Sequence, residues 1–435
     1  MGTELVERTP GLLASTVEIP SWSPTWLRDL RRAALDVHEE LGIPTIKHEE
    51  WKYTSLRELA SKSFAQAPEL VLNSSDIDEF LFGGAEQLKL VFVNGRFSES
   101  LSSSFGDISG AEIHTLSVLA EERPEWLESH LGVLSKFDEF TFAALNTAAF
   151  DDGICIRVLR NAKVDTPIHI LFVTSGAGES ATFPRVLLVA EEGSEAFVIE
   201  QYASAGAPVG FSDAVTEVFV ASNAKLEHVK VQRENRSSFH VALTQVKLER
   251  DSTYLTFNVN YGGHLVRNDL NVFLNGENLH CRMDGVVVLD GDQHCDNHTR
   301  LDHAFPNCDS FEVYKHVLND KTTAVFNGKI FVHQDAQKTD AKQTNQTLLL
   351  SPTATIDSKP QLEIFADDVK CTHGATIGQL RQDAMFYLRS RGLPETEARA
   401  LLVYAFAAEV LEKISNEAVR KDLERQLFEK LGSRK

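Results

Sequence analysis

The chain has 435 residues, and its shares of hydrophobic (43%) and charged (24%) residues are those of an ordinary globular protein with a buried core. Its formal net charge of −20 argues against a nucleic-acid partner, because phosphate binding requires clustered lysines and arginines. No apolar run is long enough for a membrane span, and five sparse cysteines without a secretory signal pattern predict a cytoplasmic protein with reduced thiols.

The first 85 residues are predicted to form a helical N-terminal domain. Apolar residues recur at helical spacing between residues 26 and 41, and Gly42 and Pro44 end the run. A second, shorter helix is predicted at residues 55–61. Strand patterns begin only after this region, so we expect a change of architecture near residue 86.

A strand and a helical insert come next. Residues 88–93 form an apolar run that ends at Asn94-Gly95, a dipeptide typical of tight hairpin turns. Between about residues 110 and 150 the pattern is helical again, and the apolar segment 142–150 predicts a buried helix. We therefore expect a helical insert near the start of a β-rich core.

From residue 154 to residue 370 the helical period disappears, and β-branched apolar runs alternate with short polar turns. Such a length of strand without intervening helices allows a solenoid such as a β-helix, or a large antiparallel sandwich or jelly roll. The spacing of the turns is too irregular to choose between these architectures. The predicted turns begin at Glu192, Ser222, Arg250, Asn275, Asn319 and Ser351.

The C-terminal segment is predicted to be helical. One helix is expected at residues 377–391, and Gly392 suits the position just after its end. A second helix follows Pro394 and continues to residue 414; it is apolar almost all round, which predicts burial or contact with a partner. The last helix is amphipathic, with leucine or valine at every fourth position from residue 419 to residue 431.

Histidines and cysteines concentrate between residues 280 and 373, which hold seven of the 15 histidines and four of the five cysteines. Thiolates and imidazoles are the ligands of iron, zinc and copper. The densest run is His294 to His303, yet neighbouring residues of a strand point to opposite faces, and a buried cysteine is usually a small core residue. Both a metal site and an ordinary core therefore remain open for this segment.

Cys371 and His373 form a different pattern, since positions i and i+2 of a strand share a face. A thiol beside an imidazole could hold a thiophilic metal, or supply half of a site that another chain completes. Alternatively Cys371 is a core residue and His373 caps the following helix. A nucleophilic Cys–His hydrolase is a weaker interpretation, because no orienting residue or oxyanion loop is recognisable.

Several blocks of the sequence, in order and at matching spacing, are similar to one known family. Residues 48–54 (HEEWKYT) resemble an E-x-W-K-Y-T element near its N-terminus, and residues 90–96 resemble its first core strand. The longest match runs from residue 296 to about residue 412 and includes QKTDA at residues 337–341 and CTHG at residues 371–374. The family is the SufB/SufD family of iron–sulfur cluster assembly proteins; the Cys-x-His-Gly pattern resembles its SufD branch, where SufB chains show Glu-His-Glu.

The resemblance implies a mainly β fold, with a right-handed parallel β-helix core (residues 86–373) between helical N-terminal (1–85) and C-terminal (374–435) domains. It implies a non-catalytic scaffold of the SUF machinery that pairs with SufB through the β-helix ends and binds the SufC ATPase through its C-terminal helices. A transient iron–sulfur cluster would form at the SufB interface, with His373 and Cys371 as candidate ligands. A reduced flavin is associated with such complexes, although the sequence shows no flavin motif.

Two other interpretations of the residues stand beside this one. The first is a self-pairing, metal-binding β-helix protein, in which two copies of Cys371 and His373 form the site of a homodimer. The second is a carbohydrate-active enzyme on a β-helix, such as a polysaccharide lyase. The reduced thiols and the missing secretory pattern count against the second interpretation.

Overall fold

A computed structural model of the protein describes residues 17–83, 86–104 and 108–432. The first six residues, where no secretory signal is expected, lie outside the described part of the chain. A β-solenoid of about eight turns forms the centre of the molecule, and helices lie at both termini. This confirms the mainly β fold with a parallel β-helix core and flanking helices. It excludes the sandwich and the jelly roll, because successive coils pair in parallel.

Twenty-one strands and eight α-helices lie within the described ranges. The strands β1–β21 span Ala65–Gln66, Leu88–Val93, Arg96–Phe97, Ala111–Thr115, Ile154–Val158, Ile168–Ser175, Glu179–Thr182, Arg185–Ala190, Glu195–Ala205, Val209–Val220, Lys225–Arg233, Phe239–Glu249, Thr253–Asn260, Leu265–Asn275, His280–Leu289, His294–His303, Asp309–Leu318, Thr323–Val332, Asp340–Leu349, Thr355–Ile364 and Lys370–Gly378. The helices α1–α8 span Thr25–Leu41, Arg57–Ala60, Leu116–Glu122, Pro124–Glu128, Thr141–Ala149, Gln382–Ser390, Glu395–Leu411 and Glu417–Gly432.

The strands form two sheets that face each other across the interior of the solenoid, the lumen. Each coil contributes one strand to each sheet, so chain neighbours lie in different sheets. The first sheet has the order β20-β18-β16-β14-β12-β10-β8-β5-β4, and β7 and β1 extend it beside β10. The second has the order β21-β19-β17-β15-β13-β11-β9-β6-β2-β3. Burial of alternate side chains in the lumen fixes the register of every coil on the next.

One corner of the solenoid repeats from coil to coil. A residue with positive φ lies where the chain passes from the first sheet to the second, and such residues recur every 27–30 positions at Gly193, Asn223, Asp251, Asn278 and Asn307. Glycine, asparagine and aspartate tolerate this left-handed conformation best. All six predicted turns exist. The first four lie at this corner and the last two at the opposite one, which explains why their spacing seemed irregular.

The two ends of the solenoid differ. At the N-terminal end, the short strands β3 and β4 pair antiparallel with β2 and β5 and interrupt the parallel stacking. At the other end, β20 pairs only with β18 and β21 only with β19 among the described strands. We call the coil formed by β20 and β21 the open end, because its outer strand edges carry no further strand of the described chain.

The helices cover the outer faces of the two sheets. The predicted first helix corresponds to α1, and the predicted buried helix of the insert corresponds to α5, all of whose residues are buried. The C-terminal helices α7 and α8 bury the apolar positions that the sequence indicated, among them Val403, Val419 and Leu423, against valines of β15 and β17. No helix of the described ranges is long and apolar enough to cross a membrane.

One boundary differs from the prediction. A helix was expected to start at residue 377, but β21 continues to Gly378 and α6 starts at Gln382. The strand persists because each of its residues up to Gly378 pairs with β19. Gly392 has a φ of 94° just after α6, as expected for a helix end. The domain boundaries at residues 85/86 and 373/374 stay predictions.

Candidate functional site

The two candidate ligands lie on β21, the outermost strand of the second sheet. Cys371 pairs in register with Ala341 and His373 with Gln343, both of which are buried in the lumen. Cys371 is half-buried and packs against the lumen core, whereas His373 is exposed. The two side chains therefore share the inner face of the open end, and no coil of the described chain covers them.

Within the described ranges, no group of three or more histidine, cysteine, aspartate or glutamate side chains is arranged to hold a metal ion. Burial raises the pKa of the Cys371 thiol above its usual value, although a hydrogen bond with the backbone of Ala341 opposes the shift. Cys371 is thus a neutral thiol at neutral pH and would lose its proton on binding a metal. Together with His373 it supplies at most two ligands from this chain.

Exposed apolar side chains lie on the same coil and on the helix that follows it in the chain. Ile364 is the last residue of β20, Phe365 follows it, Ile377 lies near the end of β21, and all three are exposed. On the adjoining helix α6, Phe386 and Tyr387 are also exposed, Phe386 by 75% of its surface. Such a concentration of exposed apolar surface is typical of a protein–protein contact.

Polar residues fill the lumen beneath the open end. Gln343 lies directly under His373, and Glu312 lies directly under Gln343. The Nε2 atom of Gln343 donates a hydrogen bond of 2.7 Å to Oε2 of Glu312. Burial raises the pKa of Glu312 to about 7, although Gln343 opposes the shift. Sequence patterns alone did not indicate this column; only the register brings its members together.

Glu312→Gln should stabilise the protein at alkaline pH and leave its stability unchanged in acid. The folded chain holds the Glu312 proton more tightly than the unfolded chain does, so the wild type loses stability as pH rises from the usual glutamate pKa through about 7. Glutamine carries no charge at any pH. We expect the variant to be more stable by about 3 kcal/mol at about pH 8 and equal to the wild type at about pH 4.5. Denaturant titrations at both pH values measure the difference.

Glu121→Gln, at an exposed position of α3, is the control for Glu312→Gln and should change stability by less than about 0.5 kcal/mol. A pH-independent effect of Glu312→Gln would contradict the prediction.

A second cluster lies on the outer face of the first sheet, under residues 48–54, the N-terminal strap. The guanidinium of Arg267 on β14 is buried, donates to Asp296 at 2.7 Å and to the backbone oxygen of Glu50 at 2.8 Å, and stacks on the ring of Trp51. The hydroxyl of Thr54 donates to the same carboxylate oxygen as Arg267, with its Oγ1 2.5 Å from Oδ2 of Asp296. The HEEWKYT element is therefore a clamp that binds the chain's N-terminal region to the solenoid.

The strap continues to the open end. Glu49 accepts a hydrogen bond of 2.5 Å from Lys359 on β20, and Glu50 lies 3.3 Å from Nδ1 of His298. Burial alone would lower the pKa of His298, but Asp296 and Glu50 raise it above the usual value. Although burial opposes its ionisation, Arg267 and His298 hold the pKa of Asp296 well below its usual range. The cluster is thus a network of charges that spans the last four coils.

The remaining histidines and cysteines of the 280–373 segment do not meet at one point. Cys281, Cys295 and Cys308 are buried in the lumen core. His294 instead faces Thr54 on the outer surface, with 2.9 Å between Nε2 and the hydroxyl. His294 and Cys295 therefore point to opposite faces, as expected for a regular strand. The core interpretation holds for these three cysteines.

Two family models match the sequence. Residues 172–406 match the family model described as "SUF system FeS cluster assembly, SufBD core domain", and residues 14–170 match "SufBD protein N-terminal region". The chain belongs to the SufBD family. The first match covers most of the solenoid together with α6 and much of α7.

Individual SufBD relatives match over most of their length. The Escherichia coli iron–sulfur cluster assembly protein SufD is 36% identical over 90% of this chain and 89% of its own. A SufBD family protein of Synechocystis is 35% identical over 88% of this chain and 86% of its own. The Bacillus subtilis SufD is 28% identical over 92% of this chain and 93% of its own. This SufBD chain is therefore a member of a family that acts in iron–sulfur cluster assembly.

Proposed function

We propose that this SufBD chain is a SufD-like scaffold subunit, without catalytic chemistry of its own, in a complex with SufB and SufC. The open end of the solenoid carries the proposal. Within the described residues, the outer edges of its strands β20 and β21 pair with no further strand, and both strands carry exposed apolar side chains. An unprotected strand edge is a template for pairing with another chain. SufB would close this end with its own last coil.

The cluster is cargo that the two chains build between them. His373 and Cys371 would supply ligands from this chain, and SufB would complete the site. An imidazole and a thiolate are suitable ligands for iron. Their place on the inner face of the open end supports the proposal, because a partner that covers this coil would enclose them both.

The C-terminal helices would bind the SufC ATPase. Phe386 and Tyr387 on α6, Leu401 on α7 and Phe428 on α8 remain exposed in the single chain, which supports docking of a partner there. The segment between Gly378 at the end of β21 and Gln382 at the start of α6 is short. Movement of the helices during the ATP cycle of SufC would therefore reach the strand that carries His373. A reduced flavin in the complex and a cytoplasmic location also belong to this proposal.

His373→Ala should lower the yield of assembled cluster by about tenfold or more, because it removes a ligand from the proposed site. The test is anaerobic co-purification of the variant with SufB and SufC, followed by iron and sulfide analysis and an absorption spectrum. The three chains should still co-purify. His333→Ala is the matched control, since His333 pairs with Asp302 on the outside of the solenoid, and should leave the yield unchanged.

An unchanged cluster yield in the His373→Ala complex would refute the ligand role. Loss of the complex itself would assign His373 to packing instead. The self-pairing alternative uses the same open end, and it predicts a homodimer of the isolated chain that persists when SufB is added. Size measurement with and without SufB and SufC distinguishes the two assemblies. The carbohydrate-active alternative gains no support from the family.

A further inference from the structure

The column beneath His373 has a defined geometry. In-register residues of adjacent parallel strands point to the same side and lie about 4.8 Å apart. His373, Gln343 and Glu312 are such successive partners, and Gln343 and Glu312 are each at least 98% buried. Gln343 is thus the only residue between the candidate ligand and a buried carboxyl group in this column of the described chain.

The amide of Gln343 is fixed in position. Its Nε2 atom donates to Oε2 of Glu312 at 2.7 Å, which leaves Oε1 as the free acceptor of the amide. The side-chain amide of Gln343 also lies next to Gly328, which belongs to the opposite sheet. A Cβ atom at Gly328 would lie 2.2 Å from Nε2 of Gln343 and 2.7 Å from its Cδ. Glycine at this position makes the space in which the amide lies.

The amide oxygen has no such contact. Oε1 of Gln343 is buried and has no hydrogen-bond partner among the described residues. A buried acceptor without a donor is costly, by about 1–3 kcal/mol. The imidazole of the next rung, His373, carries a suitable N–H. A histidine that binds a metal through one ring nitrogen generally donates its other N–H to an acceptor that fixes its tautomer.

We propose that Gln343, held by Glu312 and Gly328, is the positioning residue of His373. Its Oε1 accepts the inner imidazole N–H, so the outer ring nitrogen presents its lone pair towards the partner subunit. This inference rests on the proposed function, because it assigns a role within the same site. Because Oε1 has no partner in the described structure, the inference requires the exposed His373 ring to turn towards it in this chain alone, before any partner binds.

The test reads the tautomer of His373 directly in the full chain. Histidine labelled with ¹⁵N distinguishes the two neutral tautomers by the chemical shifts of its ring nitrogens, and His373→Ala assigns the signal. The wild type should show one tautomer. Gln343→Leu should show a mixture of both, since the acceptor is gone. An unchanged single tautomer in Gln343→Leu overturns the inference.

Matched variants separate positioning from folding. Gly328→Ala displaces the amide without changing its chemistry and should also mix the tautomers. Glu312→Gln keeps an oxygen acceptor for Nε2 and should retain the single tautomer, whereas Glu312→Leu should lose it. Thr347→Val, at another buried lumen position of β19, is the control and should change nothing. Equal spectra of Glu312→Gln and Glu312→Leu would contradict the claim that Glu312 holds the Gln343 amide that orients His373.

The same variants in the complex with SufB and SufC distinguish the inference from the proposed function. Gln343→Leu should lower the cluster yield by about tenfold, as is typical when the orienting partner of a metal ligand is lost. Mixed tautomers with an unchanged yield would retain the positioning role and reject His373 as a ligand. A lowered yield with an unchanged tautomer would reject the positioning role and leave the proposed function intact.

Discussion

Arg267→Ala should lower the free energy of unfolding by about 3–5 kcal/mol, the usual cost of removing one partner from a buried ion pair. Arg267 is 2% exposed, and its guanidinium contacts both Asp296 and Asp269 at 2.7 Å. In the variant, the carboxylate of Asp296, which is only 1% exposed in the wild type, loses its ion pair with Arg267. The strap also loses the ring contact with Trp51. Denaturant titration at neutral pH measures the loss.

The pH dependence of the Arg267→Ala defect provides a second test. In the wild type the pKa of Asp296 is depressed, so its contribution to stability is present above the usual aspartate pKa and is lost as pH falls through the folded value. In the variant this depression largely disappears. The difference between the two proteins should therefore shrink in acid. A defect below about 1 kcal/mol at neutral pH would show that Arg267 is not the centre of the clamp.

Glu217→Ala should produce a loss of similar size at a separate place. Glu217 on β10 is fully buried and lies 2.6 Å from Nη2 of Arg185, which is also fully buried. Its carboxylate accepts three further hydrogen bonds from the backbone nitrogens of Gly132, Leu134 and Ser135 in the helical insert. The substitution removes the carboxylate that pairs with the buried Arg185 and leaves three backbone donors without their acceptor. We expect a loss of about 3–5 kcal/mol.

The control for Glu217→Ala is Glu192→Ala, which removes the acidic partner of Arg160 from a pair at the surface. Surface pairs contribute about 0–1 kcal/mol, so this variant should be nearly as stable as the wild type. Hydrogen exchange at residues 132–135 should also become faster in Glu217→Ala, because their amides lose a shared acceptor. Equal stability of the two variants would contradict the assignment of Glu217 as the anchor of the insert.

The fold class was predictable from the sequence only in part. The turns predicted from glycine, asparagine and aspartate correspond to corners of the solenoid, because such residues occupy the left-handed positions at Gly193, Asn223 and Asp251. However, the two kinds of corner use the same residue types, so the composition did not reveal a repeat of one coil. The family resemblance supplied the choice of a β-helix, and the parallel register then confirmed it.

The site was predictable to a smaller extent. The spacing of Cys371 and His373 placed them on one face of a strand, where the register also places them. The residues around them come from distant parts of the chain: Gln343 lies one coil away, and Glu49 reaches β20 from the N-terminal strap. Hydrophobic periodicity cannot identify such neighbours, because the lumen beneath the open end is largely polar and its strands do not show a clean apolar face.

The contrast between the two ends of the solenoid limits how many chains can join. A coil stack with two free ends would add subunits head to tail and grow into a filament, since each new subunit would offer another free end. Here the antiparallel strands β3 and β4 interrupt the stacking at one end, so among the described strands the free parallel edges lie at the other end. If the open end pairs with another chain as proposed, addition stops after one coil-to-coil contact, and the smallest closed assembly contains two such stacks.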